Sequence, residues 1–200
     1  MSVYALKPKF QNLLRPLVRR LAQAGVTANQ VTIAAALGSI LVGLVAAFGF
    51  PLVRLFLLIP VWLFLRMALN AIDGMLAREF GQKSALGAYL NELGDVFSDI
   101  ALVLPFLVIP AFHPADLWAF ALVAVIVECA GLTGPLAGAT RRYDGPLGKS
   151  DRAVALGAFG LWIGLGLAVA PWAGWLWRAL IVLSLVTIGK RVSNGVAETR

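Results

Sequence analysis

Five of the ten acidic residues, Asp73, Glu79, Glu92, Asp95 and Asp99, lie in one stretch, RMALNAIDGMLAREFGQKSALGAYLNELGDVFSDIALVLP, from Arg66 to Pro105. At about 100° per residue, Arg66, Asn70, Asp73 and Ala77 share one narrow helical face. Gly87, Asn91, Asp95 and Ser98 share another, with Glu92 and Asp99 at its edge. A short turn around Glu79–Ser84 joins the two segments, so a hairpin brings the faces together. Carboxylates converging from two helices suit Mg²⁺ or Mn²⁺, which prefer oxygen ligands.

The elements that position these groups read as membrane helices. The chain is 60% hydrophobic and only 14% charged, against about 25% charged in a soluble domain. Residues 31–53 and 153–177 hold no charge. Runs of about 20 apolar residues cross a bilayer as helices. Their continuity excludes the alternation of a barrel. Ionisable groups at such depth are costly and face a polar cavity or a partner. The first apolar run follows a basic stretch of helix length, unlike a signal peptide. The lone histidine, His113, excludes a His-based metal site or triad. The lone cysteine, Cys129, excludes an intrachain disulfide and reads as an inert buried thiol.

The pattern predicts an all-α integral membrane protein with six transmembrane helices after an N-terminal amphipathic juxtamembrane helix. That first helix spans 5–24 within a surface segment 1–28. Phe10, Leu13, Leu14, Leu17, Val18 and Leu21 keep helical spacing apart from Arg15, Arg19 and Arg20. Pro16 is placed to kink it and Gly25 to stop it. Spans are expected near 29–50, 53–77, 85–110, 116–139, 153–171 and 174–190, in a membrane domain of 29–200. Pro105 and Pro110 are placed to kink or end the third. With the N-terminus inside, 14 of the 17 Lys and Arg fall on the inner side, and Arg54 and Arg178 outside. This asymmetry places both termini in the cytoplasm, and explains the net charge of +7 without nucleic acid. Trp172, Trp175 and Trp177 then fall at an outer aromatic belt.

The hairpin resembles the signature of the CDP-alcohol phosphatidyltransferase family, D-x2-D-G-x2-A-R-x8-G-x3-D-x3-D. Asp73, Gly74, Ala77, Arg78, Gly87 and Asp95 match it at the correct spacing. VTANQVT, from Val26 to Thr32, resembles the family's entry to the first span. GPLGKSDR, from Gly145 to Arg152, resembles its basic motif before the fifth. The resemblance implies a membrane enzyme of a bacterial inner membrane, active site inward, working as a homodimer with Mg²⁺ or Mn²⁺. An alcohol oxygen attacks the β-phosphorus of a CDP-linked donor, CDP-diacylglycerol by family frequency, and CMP leaves. It implies that Asp95 takes the alcohol proton and that Asn70, Asp73, Asn91 and Asp95 occupy the metal-ligand positions. Gly74, Ala77, Arg78 and Gly87 then receive the nucleotide and its phosphates. Lys149 and Arg152 hold an anionic acceptor head group.

Two positions depart from the family pattern: Asn70 and Asn91 stand where it has aspartate. Asparagine keeps a ligand oxygen and loses the charge. Three readings follow. Substrate phosphates supply the missing charge; Glu92 or Asp99 compensates; or the chain is an attenuated paralogue that binds nucleotide-lipid. Arg66, one turn before Asn70, is placed to pair with Asp73 or an acidic neighbour, or to put a fixed positive charge near the phosphate. The departures put the chain in an asparagine-bearing bacterial branch of unassigned acceptor. A lipid or solute transporter is the rival from another class, but the chain shows no inverted repeat.

Other polar residues have two readings each. Glu128, inside an apolar span, is an acceptor-site group or a protonated acid bonded to the next helix. Asp151 orients Lys149 and Arg152 or is simply solvated. Thr27, Asn29 and Thr32 cap the first span, or Asn29 holds the hairpin.

Overall fold

The computed structural model describes residues 6–200, so positions 1–5 of the expected surface segment lie outside the described residues. Helix α1 is Leu6–Gln23. Its apolar residues divide: Val18 is buried against Ile72, Met75 and Leu76 with Leu14 and Leu21 beside it, while Leu13 and Leu17 face outward. Pro16 is accommodated within the helix. Gly25, at φ 78°, ends it by entering the left-handed region. A capping box then starts α2, Ala28–Phe48: Thr27 Oγ1 accepts from the Gln30 N–H, and the Gln30 side chain accepts from the Thr27 N–H.

The remaining helices are α3 (Leu58–Glu79), α4 (Ala85–Val103), α5 (Pro114–Leu132), α6 (Lys149–Gly164) and α7 (Gly174–Glu198). Four stretches are long and apolar enough to cross a membrane: Ala28–Phe48, Val53–Glu79, Pro114–Leu132 and Pro171–Glu198. α4 carries Glu92, Asp95 and Asp99. α6 has 16 residues, roughly 24 Å of helix.

The boundaries differ from the expected spans for local reasons. α4 gives way at Leu104 to a 3₁₀ turn through Val108, because Pro105 cannot continue the α-helical ladder. α5 stops at Leu132 instead of near 139, ahead of Pro135 and of Gly138 at φ 87°. α6 begins at Lys149 instead of 153, since Asp151 accepts the Gly148 N–H at 2.9 Å. This is what Asp151 does; it makes no ion pair with Lys149 or Arg152. α6 also ends early, before Gly166 at φ 72°.

Packing sorts the helices around α2, which lies against both α3 and α4; α3 also packs on α6, and α5 on α7. α3 and α4 do not pack along their length. Gly160 allows the α3–α6 approach: a Cβ there would lie 2.9 Å from Ile59 Cβ and 3.0 Å from the Phe56 carbonyl.

The chain reverses at every connection, so one end of the bundle collects the start of α3, α5 and α7 with the end of α4 and α6. That end is apolar. Trp177, fully buried, stacks on Phe159 at 4.8 Å and meets Phe106, Phe112 and Phe120 edge-on or tilted. Trp177 is therefore a core residue and not part of a belt, whereas Trp172 and Trp175 are exposed. Cys129 is also exposed, in line with Leu122 and Ile126 on the outer face of α5. Helical phase decides this: its neighbours Val127 and Gly131 take the inward positions.

Trp177→Ala should destabilise the protein by about 3–5 kcal/mol, read by unfolding in detergent micelles. Trp175→Ala should leave the transition nearly unmoved.

Candidate functional site

The opposite end of the bundle holds the carboxylates. α2 forms its floor. The Thr32 hydroxyl donates to Asp73 Oδ2 at 2.8 Å. Asn29 lies against Gly87, where a Cβ would come within 2.8 Å of its Oδ1. The Gln82 side chain accepts from the Ala28 N–H at 2.7 Å and donates to the Val26 carbonyl at 3.4 Å, tying the hairpin turn to the start of α2. The hydrogen bonds that tie the hairpin turn to α2 thus come from Gln82, Asn29 lies at the close approach of Gly87, and Thr32 reaches beyond helix capping to the Asp73 carboxylate.

Because α3 and α4 diverge, only long or polar side chains span the space between them. Arg66 is buried and forks across it: Nη2 donates to Asp95 Oδ1 at 2.8 Å and Nη1 to Asp99 Oδ1 at 2.9 Å. Asn70 Nδ2 lies 3.4 Å from Asp95 Oδ1. These bonds set an antiparallel register that puts Asn91, one turn before Asp95, level with Asp73. The Lys149 ammonium pairs with Asp95 Oδ2.

The ion pairs continue through the bundle. Arg152 Nη2 donates to Asp99 Oδ2 and to Glu128 Oε1, both at 2.8 Å. Arg191 Nη1 lies 3.8 Å from Glu128 Oε2. Glu128 is thus a carboxylate bridging two guanidinium groups. Lys149, Asp95, Arg66, Asp99, Arg152, Glu128 and Arg191 form one connected chain across α3, α4, α5, α6 and α7. Burial of each member is tolerated because its neighbour carries the opposite charge.

Around this chain sit separate pairs. Glu92 takes both Nη groups of Arg141, and Arg142 binds Asp144 and Glu198. Arg142 holds the loop carboxylate Asp144 below its ordinary pKa. Glu92 and Asp99 are therefore both engaged by arginines, and neither stands free to replace the charge absent at Asn70 and Asn91. Arg152 is engaged by Asp99 and Glu128 through Nη2, while its Nη1 is buried without a hydrogen-bond partner among the described residues.

Two motif residues remain without ion pairs among the described residues. Asp73 is only 6% exposed, yet no Lys or Arg lies within pairing distance. Arg78 is exposed, and its guanidinium folds back over Gly74: a Cβ there would meet Nη2 at 2.9 Å. The small residue makes room for a cation one turn on. The site thus offers an unpaired carboxylate and an unpaired guanidinium on α3, beside an ion-pair chain with one more cation than carboxylates. Among the described residues, no three or more His, Cys, Asp or Glu side chains converge to form a metal cage.

Sequence reading missed Arg191, which counted only as an inner-side charge. The signal was Glu128: a lone acid inside an apolar helix requires a partner on a neighbouring element.

Comparison with known proteins places this geometry. The profile of the CDP-alcohol phosphatidyltransferase family matches residues 25–188. The chain is 47% identical over 191 residues to the inner membrane protein YnbA of Escherichia coli, covering 94% of this chain and 92% of that protein. It is 33% identical over 98 residues, about half of each chain, to an archaetidylinositol phosphate synthase of Pyrococcus horikoshii. The fold matches Mycobacterium tuberculosis phosphatidylinositol phosphate synthase PgsA1. In its crystal structure with manganese and citrate, the TM-score is 0.71 at 22% identity, covering 90% of this chain and 87% of that one. With CDP-DAG bound, the values are 0.74 and 21%, covering 90% and 92%.

Asp99→Asn leaves Arg66 and Arg152 each short of a buried anion and should cost about 3–5 kcal/mol. Glu92→Gln breaks a more exposed pair and should cost less. Parallel unfolding curves in one detergent check the order.

Proposed function

Because the chain belongs to the CDP-alcohol phosphatidyltransferase family, we propose that it transfers a phosphatidyl group from CDP-diacylglycerol to an alcohol, releasing CMP, in phospholipid synthesis. The observation that carries this reading is the unpaired Asp73 beside the unpaired Arg78, at the motif positions where α3 faces the cleft. A CDP-linked lipid as donor is supported by the likeness to PgsA1, crystallised with CDP-DAG.

The residues fit one divalent ion. Asp73 would supply a carboxylate, with the Asn70 amide one turn before it on α3 and the Asn91 amide on α4. Mg²⁺ commonly takes one or two carboxylates together with substrate phosphates. Mg²⁺ or Mn²⁺, when bound, supplies charge neutralisation at the pyrophosphate and at the departing phosphate. Manganese in the PgsA1 crystal supports that choice of metal.

The chain's own residues perform the rest. Arg78 swings off Gly74 to bind phosphate oxygens in a charge-assisted contact. Gly74 and Ala77 then leave the helix surface open to the nucleotide, and Gly87 keeps α4 seated on Asn29. Asp95 takes the proton of the acceptor alcohol. The alcohol oxygen forms a bond to the β-phosphorus as the phosphoanhydride bond to CMP breaks, and CMP leaves with the electron pair. Arg66 and Lys149 keep Asp95 in place until the alcohol enters. Lys149 is the partly exposed member of that contact and the one able to withdraw toward an incoming head group.

The same reading sets α2 to α7 as six spans, residues 29–200, in a bacterial cytoplasmic membrane. Residues 6–28 lie along its inner face and both termini are cytoplasmic. The name of the E. coli relative supports an inner membrane. α4 is admitted as a span because its charges are paired inward, and α6 because the turns at its ends extend it. A homodimer accompanies this arrangement in the resemblance.

Purified protein with CDP-diacylglycerol, Mg²⁺ or Mn²⁺, and a pool of polyols, their phosphates and amino alcohols should release CMP. Asp95→Asn should lower the rate by about 10²–10⁴-fold, and Arg78→Ala should raise the KM for the donor. No release from folded protein that binds the donor would overturn the transferase reading in favour of an attenuated binding paralogue.

A further inference from the structure

We infer that this site takes a single divalent cation, at Asp73, and that Arg66 and Lys149 hold Asp95 with the positive charge a second ion would otherwise provide. The inference rests on the transferase reading for its donor and deepens it at the same site.

Charge balance carries it. The connected chain has four cations, Arg66, Lys149, Arg152 and Arg191, against three carboxylates, Asp95, Asp99 and Glu128. Asp73 makes the carboxylates four. Those eight groups therefore balance before any metal or substrate enters, and Arg78 over Gly74 adds one positive charge beside them. One divalent cation arriving with a doubly charged pyrophosphate leaves that charge unchanged. A second would bring two further positive charges with no anion to offset them.

Geometry points the same way. Both oxygens of Asp95 are taken, Oδ1 by Arg66 and Asn70 and Oδ2 by Lys149. Arg66 is held in turn by Asp99, whose other oxygen is fixed by Arg152, so it is braced from two sides. Asp73 has no cation within pairing distance, and its one side-chain hydrogen bond among the described residues is from the Thr32 hydroxyl. The asparagines fit this division. With aspartate at 70 and 91 the cluster would need a further divalent ion for neutrality; with asparagine it needs none.

The test is Mn²⁺ stoichiometry, by equilibrium binding and electron paramagnetic resonance, on full-length protein in detergent with CDP-diacylglycerol and no acceptor. One ion per chain, with an uncoupled spectrum, is expected. Two ions with exchange coupling, or none, overturn the inference. Asp73→Asn should abolish binding by folded protein; retained binding would place the ion elsewhere and sink the assignment. Arg66→Gln with Lys149→Gln should admit a second ion. A folded double variant still at one ion would remove the role given to the two cations, whatever the wild-type count. Stoichiometry is read without turnover, so it separates the two readings. One ion without CMP release in the acceptor assay leaves this inference and removes the transferase; CMP release with two ions does the reverse.

Discussion

The buried ion-pair chain from Lys149 to Arg191 is the constraint on which the charged half of the bundle depends. Five helices contribute to it, and α3 and α4 are joined mainly through it, since their backbones diverge. A guanidinium enclosed by helices needs an anion beside it, and a carboxylate a donor; Arg152 meets this through Nη2, and Arg191 through Glu128 together with the Val127 carbonyl. Each member therefore fixes the position of the next. Arg66 spans the cleft, Asp99 joins it to Arg152, and Glu128 extends the chain to α5 and α7. Local α-helical geometry sets none of these distances.

The opposite end supports the chain by different physics. Trp177, Phe106, Phe112, Phe120 and Phe159 fill it with close aromatic packing, which has no charge to satisfy. That end closes the bundle, and the helices are free to separate where the site requires width. α2 mediates between the halves. It packs on both α3 and α4 along its length, and at its start Thr32 and the Gln82 contact hold the motif hairpin to it, with Gly87 close on Asn29. The cleft is thus a consequence of two helices sharing one neighbour without meeting each other.

Substitution of two carboxylates by amides is better understood as part of a redistribution than as a loss. Asn70 and Asn91 remove negative charge from the same region where Arg66 brings positive charge in. Arg66 and Lys149 together cover Asp95, while Asp73 stays open. A site built this way balances its own charge and depends on the donor's phosphates for the remainder.

Much of this was legible in the chain itself. Apolar runs too long for a core helix required membrane-length helices, because backbone polar groups in lipid must be satisfied within the segment. The spacing Asp73-Gly74-Ala77-Arg78-Gly87-Asp95 placed the site on a helical hairpin and identified its family resemblance, because helical periodicity puts such positions on one face. Capping at Thr27 and the break at Pro105 followed from local backbone chemistry. Tertiary structure alone decided which charges meet. Arg66 reaching Asp95 and Asp99, Arg191 reaching Glu128, Trp177 entering the core and Cys129 facing out all depend on how helices far apart in sequence rotate about their axes. Periodicity gives a helix its faces, and only packing decides what each face meets.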